Sequence, residues 1–361
     1  MNNVEKTTPF HPPSPRANDY AGRVGEADGR ARMESMEGNF LGLADVDGQC
    51  DVAILPVPYE LTTSYGEGTV DGPQACIAAS SQVELYDPLL PEDLPAGFRL
   101  HTAPAWDGEG DSLAEQLANV EAYLSDYLDG SCFPIVLGGE HGLLPAEMRA
   151  LRAHPDIGGD LGRLTLVQID AHADLRDEMN GERASHACAA RRALDEGVGG
   201  IIQIGVRAVS REEALFLAED GRVECFPARD LLSTCSGERD WNLLQARLSD
   251  IVGPVWLTLD IDGLDGRLVP NTGPPVPGGL HYWQAVELIE ALFANPQHAY
   301  TRHLLASEPK GTALPLAEGA HETVLEGKEV KVTFTLKRGG FLKPDFFDLK
   351  AVDNLDIKLM R

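Results

Sequence analysis

The chain has 361 residues, of which 43% are apolar and 24% charged, so a globular core is expected and global disorder is excluded. Lys and Arg total 30 against 57 Asp and Glu, a formal net charge of −27. Nucleic acids and anionic membranes attract basic surfaces, so this balance argues against both as partners. It suits either a small cationic substrate or cation-rich surroundings, and charge alone does not choose between them.

The start of the chain contains no apolar run typical of a signal peptide, and no stretch has the roughly 18 apolar residues that a membrane span needs. The six cysteines lie far apart without a Cys-x-x-Cys pair. That spacing is typical of free thiols in a reducing compartment and argues against a disulfide framework or a zinc site. We therefore expect a cytoplasmic protein without a membrane partner.

A lead-in rich in Pro, Gly and charge reaches to about residue 48, and short apolar runs then alternate with amphipathic stretches. The predicted strands are 52–58, 133–137, 164–169, 200–206 and 255–260. The predicted helices include 113–129, 241–252 and 281–293. Continuous apolar strands fit a sheet that is covered on both faces. The alternation predicts a doubly wound α/β domain with a mostly parallel sheet and helices on both faces.

Charged motifs follow three of these strands. The second strand runs into Gly-Gly-Glu-His (138–141), the third into Asp-Ala-His-Ala-Asp (170–174) and the fifth into Asp-Ile-Asp (260–262). The carboxyl ends of parallel strands meet at one edge of a sheet, and side chains two residues apart point to the same side. We expect four carboxylates and two imidazoles to converge there: His141, Asp170, His172, Asp174, Asp260 and Asp262.

Four carboxylates in one small pocket would repel one another and lose hydration, which divalent cations offset. Six such ligands can serve two ions if some carboxylates bridge, and oxygen-rich ligation with one imidazole per ion suits Mn²⁺ better than Zn²⁺. A hydroxide between two cations is a strong nucleophile, so the predicted chemistry is metal-assisted hydrolysis. A lone Asp-x-Asp often only caps a helix, but three motifs at successive strand ends favour the metal site.

These motifs resemble the ureohydrolase family, which includes arginase, agmatinase and related guanidino hydrolases. The family signatures Gly-Gly-[Asp/Glu]-His, Asp-Ala-His-x-Asp and [Ser/Thr]-x-Asp-x-Asp-x-x-Asp occur here in order at 137–142, 170–178 and 258–280. The Gly-Glu-His variant and the segments 56–87 and 185–197 look most like bacterial and archaeal agmatinases. The resemblance implies an arginase-like three-layer α/β/α fold and the hydrolysis of agmatine to putrescine and urea.

The resemblance also implies two manganese ions per subunit. The expected ligands are His141 and Asp174 for one ion, His172 and Asp262 for the other, and Asp170 and Asp260 as bridges. His186 matches the family histidine that passes a proton to the departing amine; a local hydrogen bond at a helix start is its alternative. Asp265 is expected to support a loop, and Glu140 either to contact a ligand or to cap its turn. The Gly-rich segment 66–72 fits no phosphate-binding spacing and is expected to form a substrate-entry loop.

The sequence departs from the family after the predicted helix 281–293. The family strand whose glutamate holds the guanidinium is not recognisable, and Glu308 is the nearest substrate-binding candidate. Lysine, which occurs only twice before Gly311, occurs six times after it, in strand-like segments at 329–341 and 348–360. We expect an N-terminal arm over 1–48, a ureohydrolase catalytic domain over 49–308 and an atypical C-terminal segment over 309–361.

Several alternatives stay open. The substrate could be that of another guanidino hydrolase, a guanidinobutyrase or an arginase. An arginase needs groups for an α-carboxylate, and Arg176 and Arg183 are either such groups or structural ion-pair partners. A non-catalytic regulator that keeps the scaffold and metals is the alternative outside the enzymes. Family members are usually trimers or hexamers, so we expect a homo-oligomer.

Overall fold

The computed structural model describes residues 38–44, 50–87, 90, 93–108, 110–294, 323–338 and 345–360. The chain divides into two units between Glu308 and Pro309, and each is described by itself. Most of the expected N-terminal arm, and the whole stretch 295–322, lie outside the described residues. The three expected domain boundaries therefore stay predictions.

The strands and helices of the first unit alternate along the chain. Its strands are β1 (Val52–Val57), β2 (Leu100–Thr102), β3 (Phe133–Gly138), β4 (Thr165–Ile169), β5 (Gly200–Ile204), β6 (Val223–Phe226) and β7 (Val255–Leu259). Its helices are α1 (Gly72–Ser80), α2 (Leu113–Ser125), α3 (Leu144–Leu151), α4 (Ala189–Asp195), α5 (Arg211–Glu219), α6 (Ala228–Leu231), α7 (Gly237–Ser249) and α8 (Tyr282–Ala294). Among the described residues, no helix has the length and apolar character to cross a membrane.

The strands pair in parallel within two sheets. One has the order β2-β1-β3 and the other the order β6-β5-β4-β7. The predicted parallel α/β architecture is confirmed, and the five predicted strands correspond to β1, β3, β4, β5 and β7. The sequence pattern missed β2 and β6, because three or four residues are too few for a period to show.

Alternating side chains of β4 separate two apolar cores. Leu166 packs in a cluster with residues of α2, α3 and α4, whereas Val167 and Ile169 pack with residues of α7 and α8. All three side chains are fully buried. Helices therefore cover both faces of this sheet, which gives the three layers that the sequence predicts.

The facing edges of the two sheets line one cavity of about 2190 Å³. Within the described part of the chain, β3 pairs with β1 alone and β7 with β4 alone. Ile135 of β3 and Val255 of β7 keep 39% and 38% of their surface exposed on these strands. The inter-sheet cavity, as we call this space, runs along both strands and opens at their carboxyl ends onto the charged motifs.

The second unit contains β8 (Thr323–Arg338) and β9 (Asp345–Met360), which pair in antiparallel fashion. The strand-like pattern at 329–341 and 348–360 is confirmed, and both strands begin before the predicted segments. The register shifts at several points between Thr323 and Thr333.

Candidate metal centre and active site

Three strand ends carry the charged motifs to one place. β3 is followed by Gly139 and Glu140 and then by a 3-10 turn that starts at His141, while β4 ends directly before Asp170 and β7 directly before Asp260. The backbone at Gly139 packs directly against the backbone of Tyr59. A Cβ at this position would collide with it, so only glycine fits here, between β3 and His141. The parallel register of the strands therefore brings side chains from distant parts of the sequence together.

The converging side chains form two ligand groups around one carboxylate. His141, Asp170 and Asp260 form the first group, and Asp170, His172 and Asp262 form the second. Within each group the ligand atoms all lie within 4.8 Å of one another. Asp170, which is only 1% exposed, belongs to both groups. This arrangement can hold two cations with one carboxylate in common.

The imidazoles contact the carboxylates through Nδ1. His141 Nδ1 lies 2.8 Å from Asp174 Oδ2 and 3.2 Å from Asp170 Oδ2. His172 Nδ1 lies 3.0 Å from Asp262 Oδ2. Asp174 adopts a left-handed backbone conformation with φ of 52°, which is uncommon for a residue other than glycine and is typical of functional sites. All six predicted ligand residues thus lie in one cluster.

Buried and half-buried hydrogen bonds orient the side chains of the cluster. Thr258 Oγ1 lies 3.0 Å from His141 Nε2, which leaves Nδ1 of this ring toward the carboxylates. Gln168 Nε2 donates to Asp170 Oδ2 at 2.9 Å, and Gln203 Nε2 donates to Gln168 Oε1 at 2.8 Å. Partners of this kind fix the rotamers of metal ligands, so the cluster is held in place by its own fold.

Burial and neighbouring charges shift the pKa values of the side chains in this cluster. Burial, together with the neighbouring Asp170 and Asp262 carboxylates, raises the pKa of Asp260 to about 8. Burial and Asp170 likewise raise the pKa of Asp174 to about 7. Hydrogen bonds to Asp170 and Asp262 raise the pKa of His172 to about 10. Burial opposes the ionisation of Asp170, but hydrogen bonds from His141 and His172 lower its pKa below the usual value. The resistance of Asp174 and Asp260 to ionisation fits a site for divalent cations, which would stabilise both carboxylates.

His186 lies at the side of the cluster and lines the inter-sheet cavity. Its backbone N–H donates to Thr62 Oγ1 at 2.9 Å, and its ring Nδ1 lies 3.3 Å from the same oxygen. Ser64 Oγ is 3.4 Å from Nε2. Burial lowers the pKa of His186 below its usual value, which favours the neutral imidazole. A neutral ring beside the cluster can accept and return a proton.

Comparison with known proteins identifies the family of the chain. The model of the arginase family matches residues 50–300 of the chain. The chain belongs to the arginase family. The predicted resemblance to ureohydrolases is thereby confirmed, and the chain is a hydrolase of this family, similar to agmatinases. It is 32% identical over 253 residues to the N(1)-aminopropylagmatine ureohydrolase of Synechocystis sp., covering 68% of this chain and 78% of the relative. It is 33% identical over 247 residues to the agmatinase of Pyrococcus horikoshii, covering 67% and 78%.

A solved structure supports the arginase-type fold of the chain. The proclavaminate amidino hydrolase of Streptomyces clavuligerus superposes with a TM-score of 0.63 at 23% sequence identity. The match covers 77% of this chain and 96% of that one. The predicted three-layer fold is confirmed at this level.

The remaining predicted site residues of this arginase-family chain have defined places. Asp265 accepts hydrogen bonds from the Arg267 side chain at 2.6 Å and from the Gly278 backbone at 3.1 Å, so it supports the loop after β7. Arg183 lies 2.7 Å from Asp177, and Arg176 Nε lies 3.9 Å from Glu213. Glu308, the candidate for binding the guanidinium, lies outside the described residues.

Sequence reasoning missed the partners of His186. Thr62 and Ser64 belong to the segment 56–87, but no local pattern marks them, because Thr62 is separated from His186 by 124 positions. Thr258, in contrast, is the [Ser/Thr] of the third family signature and could have been singled out. Glu147 was also missed: Trp256 Nε1 donates to it at 2.8 Å, and burial raises its pKa to about 7.

Proposed function

We propose that this arginase-family chain is a binuclear manganese hydrolase that cleaves a guanidino group to urea and an amine, with agmatine as the substrate and putrescine as the amine. The observation that carries the proposal is the pair of ligand groups that share Asp170. The names of the Synechocystis and Pyrococcus relatives, a ureohydrolase and an agmatinase, support the substrate class.

The donor set fits manganese. Each ligand group offers one imidazole and two carboxylates, and none of the described cysteines belongs to either group. Burial is the largest cause of the raised pKa values of Asp174 and Asp260, so a bound cation would stabilise both groups as carboxylates. The proposed ligands are His141 and Asp174 for one ion, His172 and Asp262 for the other, and Asp170 and Asp260 as bridges.

Bound cations would supply Lewis-acid catalysis and lower the pKa of a water molecule. The chain contributes the other parts of the reaction. Its acidic cavity attracts a cationic guanidinium group, and the buried Gln168 and the half-buried Thr258 keep the proposed ligands oriented. His186 borders the same cavity and would give a proton to the amine nitrogen as its bond to the guanidinium carbon breaks.

The alternatives differ in what they require of the chain. In an arginase, Arg176 and Arg183 would have to recognise an α-carboxylate, yet both are near acidic partners of the chain itself.

Glu308 remains our proposal for the residue that binds the guanidinium. We further propose a cytoplasmic homo-oligomer, a trimer or a hexamer, on the basis of the family resemblance.

The decisive experiment measures urea release by the purified full-length protein with added Mn²⁺. Agmatine, 4-guanidinobutyrate and arginine would be compared at equal concentration, and the metal content per chain measured in parallel. We expect two ions per chain and the highest kcat/KM with agmatine. A higher kcat/KM with 4-guanidinobutyrate or arginine would make that compound the substrate in place of agmatine. Two bound ions without urea release from any of the three compounds would indicate the non-catalytic regulator.

A further inference from the structure

Glu140, which precedes the proposed ligand His141, does not point toward the six proposed metal ligands. Glu140 is only 6% exposed, and its carboxylate reaches across to the loop that follows β1. Its Oε2 accepts from the backbone N–H groups of Leu61 at 3.1 Å and Thr62 at 2.8 Å, and its Oε1 accepts from the Thr62 hydroxyl at 2.7 Å. Glu140 therefore holds Thr62 by both its backbone and its side chain.

The Thr62 hydroxyl has one proton, which it donates in the hydrogen bond to Glu140. A carboxylate accepting three donors offers no proton in return, so the Thr62 oxygen can only accept from its other neighbours. One neighbour is the backbone N–H of His186 at 2.9 Å. The other is ring atom Nδ1 of His186, at 3.3 Å. For this last contact to be a hydrogen bond, Nδ1 must carry the ring proton.

We infer that Glu140, acting through the Thr62 hydroxyl, sets the tautomer of His186, so that Nδ1 carries the proton and Nε2 keeps the lone pair. Nε2 lies on the side of Ser64, an exposed residue that lines the inter-sheet cavity. Glu140 is thus a positioning residue: it aims the basic nitrogen of His186 at the space where a substrate amine would be released. The catalytic consequence rests on the proposed function, whereas the tautomer does not.

Ser185 is the competing partner of the same nitrogen. Its hydroxyl lies 3.3 Å from Nδ1 and can either donate or accept. If Ser185 donated to Nδ1, the Nδ1 lone pair would face the lone pair of Thr62 Oγ1, which is repulsive. With the proton on Nδ1, both hydroxyl oxygens can accept from it. The position of Glu140 decides between the two arrangements.

The test reads the ring nitrogens directly. Full-length protein labelled with ¹⁵N-histidine is studied without metal by NMR, which distinguishes a protonated ring nitrogen from one with a lone pair. The His186 signals are assigned from the spectrum of His186→Asn. We expect the wild-type protein to show the Nδ1–H tautomer. An Nε2–H tautomer in the wild-type protein would overturn the inference before any variant is made.

The variant Glu140→Gln gives the sharpest contrast. The glutamine carbonyl can still accept from the two backbone N–H groups, while its amide takes the place of Oε1 and donates to Thr62 Oγ1. The Thr62 proton is then free to point at Nδ1, so we expect His186 to change to the Nε2–H tautomer. An unchanged tautomer in folded Glu140→Gln would also overturn the inference.

Thr62 variants keep the inference testable if Glu140→Gln does not fold. Thr62→Val removes the acceptor and should populate both tautomers, whereas Thr62→Ser should restore the wild-type spectrum. Thr102→Val is the matched control, since it also removes a hydroxyl that accepts from a distant backbone N–H, that of Phe40 at 2.9 Å. A wild-type spectrum for Thr62→Val, or an equal change in Thr102→Val, would contradict the assignment.

Turnover gives the second measurement. General acid–base catalysis contributes about 10²- to 10⁴-fold, so Glu140→Gln should lower kcat by about 10²-fold while KM and metal content stay near wild type. Thr62→Ser, which keeps the hydroxyl, should keep most of the wild-type kcat. A rise in KM or a loss of metal in place of the fall in kcat would show that Glu140 supports binding and not His186. If the wild-type protein releases no urea, the proposed function fails, and the NMR spectra still decide the tautomer.

Discussion

Two regions of the inter-sheet cavity differ in the side chains that line them. At the carboxyl ends of the strands, polar side chains are tied to one another and to the backbone, as Gln168 and Thr258 are to the ligands. Along the facing edges of β3 and β7, the walls are apolar and partly exposed, as at Ile135 and Val255. The first region is held by directional hydrogen bonds, whereas the described residues leave room along the two strand edges of the second region. Changes in the first region should therefore alter chemistry, and changes in the second should alter little.

The largest effect should come from Asp260→Asn. Mutation of residues that only contact metal ligands typically costs about 10- to 100-fold in metal affinity, so loss of the proposed bridging carboxylate should abolish metal binding and urea release. Metal content per chain and urea release measure the result. Asp220→Asn is the control, because Asp220 pairs with Arg222 away from the cluster. Full metal content in Asp260→Asn would remove this residue from the ligand set.

His186→Ala should separate chemistry from metal binding. Since His186 is not one of the proposed ligands, we expect kcat to fall by about 10²-fold or more with two ions still bound. Steady-state kinetics and metal analysis are compared on the same sample. Lost metal in this variant would contradict the proton-transfer role and make His186 part of the metal cluster.

Removal of the metals should make stability depend on pH with a definite sign. The folded pKa values of Asp174, Asp260 and His172, about 7, 8 and 10, lie above the unfolded values of about 4 for Asp and 6.5 for His. The folded state therefore binds more protons than the unfolded state between these values, and stability falls as pH rises. We expect the Tm of the metal-free protein to drop by several degrees from pH 6 to pH 9.

Two controls belong to this measurement. The metal-loaded protein should show a smaller drop, because bound cations stabilise the ionised carboxylates. Metal-free Asp260→Asn should lose part of the pH dependence, because one of the three groups no longer titrates. A metal-free Tm that rises over the same range would refute the raised pKa values described for Asp174, Asp260 and His172.

The smallest effect should come from the cavity wall. Ile135→Ala removes a side chain that is 39% exposed, so we expect a loss of about 1 kcal/mol or less in the free energy of unfolding. Leu166→Ala, in the fully buried core behind β4, should cost about 2–5 kcal/mol. Urea denaturation of both variants measures the difference. Equal losses would mean that the wall is packed as tightly as the core.

Much of the fold and of the candidate site could be predicted from local patterns. The apolar runs at β1, β3, β4, β5 and β7 are long enough to be recognised, and the charged residues follow three of them directly. The two shortest strands, β2 and β6, carried no readable period. The described parallel strands fall into two sheets, and their order could not be predicted locally, because strand pairing depends on partners far apart in the chain.

The residues that orient the site show the same limit. His141, Asp170, His172, Asp174, Asp260 and Asp262 could be grouped from the sequence, because a strand of period two and a common sheet edge fix where they point. The contact between Glu140 and Thr62 crosses 78 positions, and the one between Thr62 and His186 crosses 124. Only the folded chain decides which hydroxyl meets which ring, since hydrogen bonds need their atoms placed within a few tenths of an ångström. The sequence alone was enough to group the proposed ligands, and the tertiary structure decided which hydroxyl groups meet the ring of His186.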